Sequence, residues 1–80
     1  MNLMFAIKNC KYQILKISYE EKIILSRLID LGVKEGSFIT VVRPLERNSC
    51  LVALVDGRLI AISSEICKSI TVKKVDSLDD

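Results

Sequence analysis

Histidine and tryptophan are absent from the 80 residues, proline occurs once, and glycine and cysteine occur three times each. Without histidine the chain lacks the side chain that most often serves as a general base near neutral pH and as a ligand for zinc or copper. The cysteines, Cys10, Cys50 and Cys67, are odd in number and spaced too widely for a zinc knuckle. No glycine-rich loop has the spacing that cradles phosphate, and no histidine is present to serve a cysteine as a base. The expectation is therefore a non-enzyme, with no catalytic residue, no metal ligand and no cofactor. With no secretory pattern to oxidise them, the thiols are expected to stay free in a reducing cytoplasm and to pack as small hydrophobes.

Long apolar runs are missing as well. MNLMFAI at the start is interrupted by Lys8 and has no charged n-region beyond the amino terminus, so it reads as neither a signal peptide nor a membrane span. A membrane link is expected only through a partner. An excess of one charge is also lacking: twelve Lys and Arg face ten Asp and Glu, for a net charge of +2, and the cations are scattered from Lys8 to Lys74. Nucleic acid is not an expected partner, because no basic stripe forms and the two tyrosines and two phenylalanines make no stacking platform.

What the chain does have is apolar residues, half of the total, enough for one small core. KYQILKI, Lys11 to Ile17, alternates as a first strand, with Tyr12 and Ile14 on one face and Leu15 and Ile17 on the other. S-Y-E-E, beginning at Ser18, has the form of a capping box in which Ser18 and Glu21 satisfy each other's backbone N–H groups, so a helix is expected from Tyr19 to Leu31. Ile24, Leu25, Leu28 and Leu31 form its inward side, and Glu20, Glu21, Lys22, Ser26 and Arg27 its outward side. Gly32 is placed to close that helix in the left-handed conformation, with Val33 returning against Leu28. Gly36 fits the third position of a type II turn.

SFITVVRPL, Ser37 to Leu45, is the strongest strand, limited at its far end by Pro44. LERNS, Leu45 to Ser49, reads as an exposed loop. Two strands follow, Cys50 to Val55 and Arg58 to Ile62, joined by Asp56-Gly57, a two-residue hairpin signal. Ser63 or Ser64 caps a single turn in SSEICK, and a last strand runs from Ile70 to Lys74. The expected core is Ile14, Ile17, Leu25, Leu28, Val33, Ile39, Val41, Val52, Leu54, Ile60, Ile62, Ile66, Ile70 and Val72. Residues 1–75 form one domain and 76–80 a short acidic tail, expected to fray. The fold class is mainly β with one α-helix, in the order β-α-β-β-β-short turn-β. So short a chain limits its exposed edges by curling its strands into a small, partly open SH3-like barrel.

ILKI, RLIDLGV, KEGSFITVV, RPL, RLIAI, SSEI and ITV, in that order, resemble the FeoA family from about Leu3 to Val72. The resemblance is carried most specifically by the spacing of Arg27-Leu28, Leu31-Gly32 and Gly36, and then by Glu65 and Ile70-Thr71-Val72. It implies a non-enzymatic cytoplasmic accessory of bacterial ferrous iron uptake that works with FeoB, a membrane transporter with a GTP-binding region. Glu35 stands where the family often has proline, the loop after Pro44 has Glu46, Arg47, Asn48 and Ser49 in place of a glycine and a second proline, and Ser63 replaces a common arginine. A similar barrel forms the C-terminal domain of iron- and manganese-dependent repressors, so a detached regulatory domain of that kind is the alternative reading.

Arg43, Pro44, Leu45 and Arg47 are the candidate partner-binding residues: an exposed proline and leucine flanked by guanidinium groups suit an acidic or apolar patch. Gly32, Gly36, Asp56 and Gly57 are read as structural turns. The Ser37 to Pro44 strand is taken as an unpaired edge open to β-augmentation or self-association.

Overall fold

In the computed structural model, which describes residues 1–47 and 49–75, the strands are β1 (Lys11–Ile17), β2 (Phe38–Arg43), β3 (Leu51–Val55), β4 (Arg58–Ile62) and β5 (Ile70–Lys74). Helix α1 is Lys22–Asp30 and helix α2 is Ser64–Cys67. The expected acidic tail and Asn48 lie outside the described residues. All neighbouring strands are antiparallel, in the order β4-β3-β2-β1-β5, and β4 and β5 are not paired with each other. The result is the expected partly open barrel-like sheet. Strand β2 is interior, with β3 on one side and β1 on the other, so the expectation that it forms an unpaired edge is corrected.

Two turns carry the redirection between α1 and β2. The Val33 N–H donates to Leu28 O (2.8 Å) and the Gly32 N–H to Ile29 O (2.9 Å), the paired bonds of a Schellman motif, with Gly32 at φ +95°. Ser37 N–H then donates to Lys34 O (3.1 Å) across Gly36, at φ +91°, as a type II turn requires. Asp56 and Gly57, both at positive φ, join β3 to β4 as a type I′ hairpin.

The start of α1 departs from the capping box. The Ser18 N–H donates to Ser69 O (2.7 Å), which ties Ser18 to the chain entering β5 and keeps it out of the helix. Glu21 is the N-cap and makes no side-chain capping bond, so the helix begins at Lys22. Ser63 does cap α2, accepting from the Ile66 N–H at 3.3 Å.

Leu28 is the buried residue of α1; Ile24 and Leu31 pack against the core from partial exposure. The β3 expectation had the wrong face: Leu51, Ala53 and Val55 are buried, whereas Leu54 is exposed and Val52 only partly covered. Ile17, Leu25 and Ile66 are also partly covered. The N-terminal segment adds core that the sequence reading omitted. Asn2 caps a 3₁₀ turn at Leu3–Phe5, Leu3 and Ala6 are buried, and Met1 lies along β5, its O accepting from the Val72 N–H (2.7 Å). Tyr12 is buried and its hydroxyl accepts from the Ile7 N–H at 3.0 Å, so the ring fills the core without stranding its polar end.

Candidate interaction surface

The β2 end is shaped by one extra residue. The β2–β3 register shifts between Val41 and Arg43, a bulge that turns Val42 and Arg43 outward before Pro44 ends the ladder. On the other side, Asn9 at φ +64° folds the preceding loop back, its N–H donating to Val41 O (2.7 Å) while the Val41 N–H donates to Cys10 O (3.0 Å). Asparagine tolerates that conformation better than most residues. The fold-back brings Lys8 to the same place as Arg43. Together with Val42, Pro44 and Glu46 they line a shallow cleft of about 540 Å³.

Of the candidate partner-binding residues, Arg43 and Pro44 meet in this cleft. Leu45 is turned inward and packs against the core, so it is not the exposed anchor that the sequence suggested. Arg47 is exposed at the loop tip and does not line the cleft. Glu46 and Ser49 fasten the loop base, the Glu46 N–H donating to Ser49 Oγ (3.1 Å) and Ser49 Oγ–H to Glu46 O (2.9 Å). Lys8 and Glu46 were not singled out from sequence; the signal available for Lys8 was the Lys8-Asn9 pair between an apolar run and a strand, which reads as a turn.

A second, apolar cleft of about 340 Å³ opens between α1 and the type II turn, lined by Ile17, Leu25, Ile29, Lys34 and Glu35. Glu35 closes one side by accepting from the Ile17 N–H (3.4 Å). Ile29 and Ile23 lie on the exposed side of α1, where a solvated face was expected.

The cysteines occupy three environments. Cys67 is buried, Cys10 half-buried and Cys50 exposed. Burial, with a smaller contribution from the Cys50 charge, pushes the Cys67 thiol up to about 11. Among the described residues, no three His, Cys, Asp or Glu side chains come together as a metal site.

These elements fall in the order of a known family, whose model, the FeoA domain, matches residues 1–74. The chain belongs to the FeoA family. The fold agrees with solved FeoA structures. The FeoA protein from Chlorobium tepidum is 21% identical with a TM-score of 0.83, over 95% of this chain and 71% of that one. A crystal structure of the iron uptake regulatory protein FeoA is 20% identical with a TM-score of 0.77, over 94% and 96%. IdeR from T. acidophilum is 27% identical with a TM-score of 0.80, the match covering 94% of this FeoA chain but 34% of IdeR. A comparison with curated proteins returned no match.

Proposed function

We propose that this FeoA chain is a non-catalytic accessory of ferrous iron transport that acts by docking on the cytoplasmic GTP-binding region of a FeoB-type transporter. The observation that carries this reading is the family match across all five strands. The contact is assigned to the Lys8–Arg43–Pro44 cleft, with Arg47 beside it on the loop. Two cations line the cleft against the single carboxylate of Glu46, and the fixed proline ring gives them an apolar floor, a combination suited to an acidic surface with an apolar spot. Among the described residues no helix is long and apolar enough to cross a membrane, and the proposal places the chain at the inner membrane face through its partner.

The test is a pull-down with the cognate FeoB GTP-binding domain, nucleotide-free and loaded with GDP or a GTP analogue. Binding is expected in at least one state, weakened by added salt and reduced about tenfold by Arg43→Glu. Failure to bind in every state would overturn the transporter reading. A second reading, a regulatory domain that packs on a DNA-binding protein, draws on the likeness to IdeR. It predicts capture of a winged-helix regulator in a parallel pull-down, with the FeoB domain left unbound.

A further inference from the structure

The two edges of the sheet are finished differently. Edge strand β5 is covered by the N-terminal segment: Met1 exchanges two hydrogen bonds with Val72, its amino group donating to Val72 O (2.8 Å), and Asn2 bridges to Thr71. Lys73 and Lys74 guard what is left of that edge.

Edge strand β4 has no such cover, and its one charge, Arg58, sits at the hairpin end. Its sequence from Leu59 to Ile62 holds no charge and no proline, and the β3–β4 ladder runs without a bulge. The hairpin fixes which backbone groups are free. Val55 and Arg58 flank the two-residue turn and form a hydrogen-bonded pair, so by alternation Ala53 with Ile60 and Leu51 with Ile62 are bonded pairs too. The N–H and C=O groups of Leu59 and Ala61 then point away from β3. Among the described residues no backbone partner reaches them from the other side. Leu59 is 66% exposed, and Leu54, directly across the ladder from it, is 41% exposed.

We propose that β4 is a docking edge for a second copy of this chain, joined antiparallel about a two-fold axis at Ile60. That register sets Leu59 opposite the second copy's Ala61, so the two pairs supply four hydrogen bonds from the four free N–H groups. On the outer face it extends the Leu54–Leu59 row into the second copy's Ala61 and Val52, apolar against apolar. The only charge in β4 is Arg58, and the symmetry puts the two arginines at opposite ends of the paired segment. Each lies beside the other copy's Ile62 end, where Glu65 opens α2 with the opposite sign. An interface built on one short strand is small, and the association is correspondingly weak.

Sedimentation velocity from about 10 µM to about 1 mM tests this, together with amide hydrogen exchange on the full chain at both ends of that range. The expected result is a concentration-dependent dimer in which the Leu59 and Ala61 amides gain protection, while Ile60 and Ile62, already bonded to β3, change little. Leu59→Lys, at an exposed position, is expected to keep the chain folded and lower dimer affinity at least tenfold. Ala61→Pro removes one free-edge donor and provides a second variant. A monomer throughout the range would overturn the proposal, as would a dimer that leaves the Leu59 and Ala61 exchange rates unchanged.

Discussion

Gly32 and Gly36 share a positive φ, but an added methyl group would meet different surroundings at the two positions. At Gly36 there is open space, so Gly36→Ala costs only the left-handed strain, about 1 kcal/mol. At Gly32 the new carbon would run into the Asp56 carboxylate and lie 3.1 Å from Val55 Cγ1. Gly32→Ala is expected to cost about 2–3 kcal/mol, the larger of the two losses in urea unfolding. Cys67 makes a pH prediction. Its thiol is raised from 9.0 to about 11, so the folded state holds the proton more firmly than the unfolded chain. The associated stability is complete below pH 9 and is lost as pH rises from 9 to 11. Unfolding midpoints should fall across that window more steeply in the wild type than in Cys67→Ala. Cysteine alkylation at neutral pH should label exposed Cys50 and spare Cys67 until the chain unfolds. Residue-level legibility failed at β3, where LVALV is apolar throughout and gives no alternation to read. The missing information was in the hairpin. With Val55 opposite Arg58, inward Ile60 and Ile62 require inward Ala53 and Leu51, which places Val52 and Leu54 on the outer face. Leu51→Ala is accordingly expected to cost about 2–5 kcal/mol, and Leu54→Ala well under half of that, in the same unfolding measurement.

Among the elements, strands and turns were legible and helix α1 was legible only at its far end. The Schellman closure needs glycine at one position and an apolar residue at the next, both local facts, and both are where the sequence put them. The capping box was also a local pattern, but Ser18 is taken by a long-range bond to Ser69, and no local rule could weigh that competitor. The two helix starts therefore respond differently to substitution. Ser63→Ala removes a formed cap from α2 and should destabilise the chain by about 1 kcal/mol, whereas Glu21→Ser supplies α1 with the oxygen it lacks and should stabilise it by about 0.5–1 kcal/mol in thermal unfolding. The N-terminal turn escaped the sequence reading because MNLMFAI has neither the period of a helix nor that of a strand. Its one signal was Asn2 as a cap, accepting from the Met4 N–H at 2.9 Å. The clefts were harder still. Arg43 and Pro44 could be named from the strand's end, but Lys8 joins them through a fold-back in a different part of the chain.

For the molecule as a whole, the strand count and connection order followed from sequence, but the neighbours did not. Pro44 allows an edge, a bulge or a strand end; the proline lies just past β2, which is interior because β1 reaches it across α1, leaving β4 and β5 as the outer strands. β1 in turn bonds β5, pairing Ile14 with Val72 across most of the chain, and the N-terminal residues add a further layer on the same strand. Such distant pairing predicts slow folding for so small a domain, in the millisecond to second range by stopped-flow. A chain ending at Ser69 should show no cooperative unfolding transition, because β1 and the Met1–Ala6 segment would both lose the strand that holds them. The same arrangement bears on biosynthesis. As a ribosome releases the polypeptide, β1 emerges early while its β5 partner is still to be made, so the β1–β5 side of this FeoA domain closes only after Ile70–Lys74 has cleared the exit tunnel.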